Sequence, residues 1–143
     1  MIPISEVRKR LRGVIDSARR EATERRKRAA TSEGDYQRFL DDIAVPIFRM
    51  FAGALRAEGY PFNLETPAGM VRLASEKSSD DYLEIALDTS HDVPVVVGRS
   101  SHRLGRRLTE SERPVRQEAV VSELTEEDLV EFLLRELKPL VEK

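Results

Sequence analysis

The chain has 143 residues, 40% hydrophobic and 35% charged, with a formal net charge of -2 and no cysteine. That length buries roughly two-thirds of the surface an unfolded chain exposes, so one domain stands without a metal or disulfide staple. The composition excludes a wholly disordered chain, and the lack of cysteine removes disulfide frameworks, thiolate nucleophiles and thiolate zinc sites.

From Ile4 to Ala30 there is no proline and a single glycine, Gly13. Ile4, Val7, Leu11, Val14, Ile15, Ala18, Ala22 and Ala29 recur at helical spacing within one sector about 100° wide. The spacing predicts an amphipathic helix whose stripe thins to alanine beyond Ala18, and alanine buries little. Residues 1–34 hold ten Lys and Arg against five acids. Glu6 and Arg10, Asp16 and Arg20, Glu21 and Arg25, and Glu24 and Arg28 are pairs four apart that support an exposed helix. Arg8, Lys9, Arg12, Arg19, Arg26 and Lys27 form a band beside the stripe, interrupted by Asp16. Such a band is a solvated face, a face that meets the protein's own acidic segments or, alternatively, a rail for phosphates.

Thr31, Ser32, Glu33, Gly34 and Asp35 compete with helical backbone, and a break or hinge is expected there. The chain thus divides into a basic helical arm, residues 1–33, and a compact α+β domain, residues 34–143. Tyr36, Phe39, Leu40, Ile43, Ile47, Phe48, Phe51 and Leu55 predict a second, core helix that Gly59 stops and Pro46 kinks or splits.

After Pro61 the period changes to two, with Phe62 and Leu64, Val71 and Leu73, Leu83 to Leu87, and Val95 to Val97 marking four strands. Residues 66–69, 77–81 and 90–92 supply turns, and short links make neighbours antiparallel. Asn63, Glu65, Arg72, Glu76, Glu84 and Asp88 make the opposite face wet, while Val96 between two valines predicts a fourth strand that is buried on both faces or meets a second subunit. Residues 103–118 read as an edge strand or a loop, and Arg99, Arg103, Arg106 and Arg107 are a second candidate anion site. Thr125 caps a C-terminal helix with Asp128 three residues on, and Leu129, Phe132, Leu133, Leu137 and Leu140 form its packing face. The fold class is therefore α+β: long N-terminal helical segments, a four- to five-stranded antiparallel meander, and a C-terminal helix packed on one sheet face.

Catalytic signals are weak, and no metal or cofactor is expected. The two histidines flank the fourth strand, too far apart to share a metal. Ser90, His91 and Asp92 are adjacent on extended chain, where triad residues cannot converge. Asp80, Asp81, Glu76 and Glu84 lack calcium-loop spacing, and no phosphate-binding glycine loop occurs. No apolar run approaches a membrane span, and Met1 to Arg12 is too charged for a signal peptide. The expectation is a non-catalytic cytoplasmic interaction or scaffold protein that forms a homodimer through its helices, centred on Val14, Ile15, Ala18 and Ala22. An alternative is nucleic-acid binding through Arg8, Arg12, Arg19 and Arg26, joined by Arg103, Arg106 and Arg107. Another is a small-ligand binder or enzyme with a pocket between the second helix and the sheet, among Tyr36, Phe39, Phe51 and Tyr82. Membrane-surface binding is disfavoured because the stripe has no aromatic anchor.

Overall fold

The computed structural model describes residues 1–142. Helix α1 (Ile4–Phe39) runs uninterrupted for 36 residues, about 54 Å at helical rise. The break expected at residues 31–35 does not occur. Each residue there disfavours helix by no more than about 1 kcal/mol, whereas the turn that follows docks Tyr36, Phe39 and Leu40, all buried. Burial outweighs local preference, and an Asp35–Arg38 ion pair adds to it. The helical path then passes through a single wide π-turn, Leu40–Ala44, into α2 (Val45–Ala57). In that turn the Val45 N–H reaches back to the Leu40 carbonyl. Pro46 thereby falls in the first turn of α2, where a missing donor costs least. Gly59 ends the run at φ +92°, a left-handed position suited to glycine, and the Tyr60 N–H bonds the Leu55 carbonyl at 2.8 Å.

Five strands follow in plain meander order, each antiparallel to the next: β1 (Phe62–Glu65), β2 (Val71–Ser75), β3 (Tyr82–Asp88), β4 (Val95–Leu104) and β5 (Arg107–Pro114). Residues 103–118 therefore supply the end of β4, a two-residue turn and an edge strand before the chain leaves the sheet. Gly105 opens that turn at φ +64°, which fits a hairpin with glycine at its first central position.

Alternation decides the layers. Phe62, Val71, Leu73, Leu83, Ile85 and Val96 are buried on one face, covered by α2 over β1 and β2 and by α3 (Glu126–Val141) over β3 and β4. Val97 points the other way and is also buried, so β4 is indeed buried on both faces. Leu129, Phe132, Leu133, Leu137 and Leu140 are the buried side of α3.

The start of α3 is a reciprocal capping box. The Asp128 N–H donates to Thr125 Oγ1 at 3.2 Å, and the Thr125 N–H donates to Asp128 Oδ2 at 3.0 Å. Burial opposes the charge on Asp128, but hydrogen bonds from Thr125 and from Arg116 outweigh it and hold the carboxyl below its ordinary range. An acid held low contributes stability that is complete above the unfolded value, about pH 4, and is lost as pH falls through the folded one. Asp128→Asn should therefore flatten the acid limb of a stability-against-pH curve measured by urea unfolding. An unchanged acid limb would show that the box carries no linked charge.

Candidate interaction surface

The body's helices are anchored, but the first half of α1 is not. From Met1 to Glu21 every residue except half-buried Glu6 is exposed. Burial on α1 begins in earnest only at Tyr36, whose hydroxyl donates to the Gly69 carbonyl at 2.7 Å. Burial pushes that hydroxyl's pKa up. Nearer the arm, Arg25, Arg26 and Ala29 share a small pocket with Thr89, His91, Asp92 and Pro94 of the β3–β4 loop. Tyr36 lies beside Ile85 in mid-strand and Ala29 beside the strand's end. The direction between them carries residues 4–21 off the end of the sheet.

On this arm the predicted stripe faces solvent. Ile4 is 74% exposed, Val14 65%, Leu11 55%, Val7 48% and Ile15 39%. Ala18 is exposed and Ala22 is half-buried. Of the predicted i,i+4 pairs only Glu6–Arg10 closes, at 3.3 Å. In the basic band, Arg26 Nη2 donates to Thr23 Oγ1 at 3.4 Å. The guanidinium groups of Arg8, Arg12 and Arg19 have no hydrogen-bonded or ion-paired partner among the described residues, although the Arg19 carbonyl accepts from Thr23 Oγ1 at 3.0 Å.

The second arginine group is elsewhere. Arg103 Nε holds Asp80 Oδ2 at 2.7 Å, and the Arg103 N–H donates to Asp81 Oδ1 at 3.0 Å. Arg106 lies in the hairpin turn and Arg107 opens β5. That turn is at the far end of β4 from the loop that meets the arm, about 30 Å away along the strand. The two groups therefore do not form one surface.

The open sheet face carries an unforeseen arrangement. Cross-strand register places Glu65, Arg72, Glu84, Arg99 and Glu112 in one row across all five strands, alternating in sign. Arg72 Nη2 reaches Glu84 Oε2 at 2.6 Å and its Nε the same oxygen at 2.9 Å. Arg99 Nε lies 3.6 Å from Glu112. Burial opposes the charge on Arg72, but the Glu84 contact more than offsets it and raises the guanidinium's pKa.

The remaining candidates disperse. Tyr36 and Phe39 are core, Phe51 packs against it, and Tyr82 is on the opposite face under Arg72, 4.4 Å from ring centre to guanidinium. The four rings do not share a pocket. Glu76 pairs with Arg56 at 2.6 Å, and Glu84 and Asp80 are taken by arginines; no group of three metal-ligating side chains forms among the described residues. Ser90 Oγ donates to Asp88 at 2.6 Å, a turn contact that also holds Asp88 low. His102 falls inside β4 rather than beyond it, with His91 before the strand. No helix among the described residues is long and apolar enough to cross a membrane. No family model, curated protein or solved structure matches the chain.

Proposed function

We propose that the protein is a non-catalytic cytoplasmic interaction protein that self-associates through the arm of α1. One observation carries this: five large apolar side chains stand in a row on a stretch of helix where they remain exposed among the described residues. Together they offer on the order of 500 Å² of apolar surface, comparable to the largest patch on a typical monomer, which is often functional. Two such stripes facing each other bury at most about 1,000 Å², the lower bound for a specific interface. A stripe of this kind is stable in water when a second helix covers it, and a second copy supplies one with the same spacing.

The test is mass in solution. A chain of 16.3 kDa should sediment as a dimer, and Ala18→Glu, which puts a charge on the mid-line of the stripe, should shift it to monomer with its circular dichroism retained. A parent chain that is already monomeric at high micromolar concentration would sink the reading.

A second reading is favoured by the unpartnered guanidinium groups of Arg8, Arg12 and Arg19 beside the stripe. They suit a phosphate backbone. Anisotropy of labelled duplex and single strand, titrated at several salt concentrations, separates the two. Binding that falls steeply with salt and is lost on replacing these three arginines by alanine supports nucleic acid. No binding at low salt removes it.

A further inference from the structure

The stripe exposed on the arm and the side by which α1 rests on its own body are one side of one helix. At 100° per residue, Ile4, Val7, Leu11, Val14, Ile15 and Ala18 share a sector with Ala22, Ala29, Ser32 and Tyr36. The first six are exposed, whereas Ala22, Ala29 and Ser32 are half-buried and Tyr36 is buried. Ala29 lines one small pocket together with the β3–β4 loop. Whatever lies on the free stripe must therefore stop where the chain's own body begins, near Glu21.

This restricts how a second copy can lie. In a parallel pair, stripe to stripe, residues 22–36 of each helix would face each other at the same height, and each body would occupy the space that its partner's body needs. An antiparallel copy ends where the body begins. With a two-fold axis beside Arg12 and Gly13, Ile4 of each helix is level with Glu21 of the other. The two free lengths, about 25 Å each, then overlap fully without meeting either body.

The taper of the stripe points the same way. Antiparallel pairing sets Val7 against the partner's Ala18 and Leu11 against the partner's Val14. The small Ala18 then meets a larger Val7, and no layer sets alanine against alanine. Parallel pairing would set Ala18 against its own copy and leave that layer thin. We propose that two copies pair through residues 4–21 as an antiparallel helix pair, a deepening that rests on the self-association reading above. The same symmetry carries Arg8, Arg12 and Arg19 of both copies to one face of the pair, whereas a parallel two-fold would place them on opposite faces.

The chain has no cysteine, so single introduced thiols report orientation cleanly. Val7→Cys and Ala18→Cys are made separately, and the parent is sedimented alongside. In the antiparallel pair, like thiols are about 16 Å apart along the axis, beyond disulfide reach. Each variant oxidised alone should yield little covalent dimer, and an exchanged equimolar mixture should yield at least fivefold more. Efficient self-linking of Val7→Cys with a dimeric parent overturns the antiparallel orientation and leaves self-association standing. A dimeric parent in which neither combination links puts the interface off the arm and overturns both. A monomeric parent also overturns both, and co-sedimentation of that monomer with phosphatidylserine vesicles would assign the stripe to a lipid surface.

Discussion

Gly98→Ala is expected to lower the unfolding free energy by about 3 kcal/mol, a large fraction of the roughly 5–15 kcal/mol typical of a domain. Gly98 is on the helix-covered face of β4, opposite Ile85, where α3 crosses. A methyl group built there would stand 1.8 Å from Phe132 Cζ, 2.3 Å from Cε1 and 2.7 Å from Cε2. The ring is 1% exposed, so it has no solvent space to swing into, and either α3 lifts or the strand bends. In a chain this size such a loss corresponds to a fall of about 6–12 °C in Tm.

The control follows from which atoms collide. Leucine lacks all three of the offending ring carbons, so Phe132→Leu leaves a void that the Gly98→Ala methyl partly fills. Each single variant should be clearly destabilised by urea unfolding. The double variant should lose well under the sum, since residues in contact do not add. Additive losses, or a single Gly98→Ala within about 0.5 kcal/mol of the parent, would mean that α3 does not press on β4 at this point.

How much of this was readable from residues alone depends on whether the signal is local. The capping box of α3 involves Thr125 and Asp128 only, and was legible. The first four strands were legible because alternating apolar residues report a covered face. β5 was legible only as one of two options, edge strand or loop: both of its faces are largely exposed and polar, so alternation vanishes. Its turn, Gly105-Arg106, was the available cue. The expected hinge at residues 31–35 failed because weak helix preferences there are overruled by the docking of Tyr36, Phe39 and Leu40 immediately downstream. Arg103 looked like a free cation for the same reason in reverse. Its partners Asp80 and Asp81 lie more than twenty residues earlier, and only the β3–β4 register brings them together.

That register also sets the second large effect, which concerns the row of charges on the open face. Glu84 is the member of the row that solvent cannot reach: its side chain is 5% exposed, against 28% for Arg72 and 50% for Glu65. Its oxygen accepts two hydrogen bonds from Arg72, and the same guanidinium covers Tyr82. Arg72→Met keeps the aliphatic stem but strands the carboxylate under the neighbouring strands. Breaking a buried pair from one side costs about 3–5 kcal/mol, and the partial exposure of Arg72 places this case at the lower end, near 3 kcal/mol. Arg72→Lys should recover only part of the loss, because an ammonium neither makes the two-pronged contact nor stacks on the ring.

The decisive comparison is Arg72→Met with Glu84→Leu in one chain. If the damage in the single variant comes from an uncompensated buried charge, removing that charge restores most of the stability, since an apolar pair of similar volume is often neutral or better than the ion pair it replaces. If the double variant is instead no more stable than Arg72→Met alone, the row works through packing of the arginine stem over Tyr82, and the alternation of sign across the five strands contributes little to the fold.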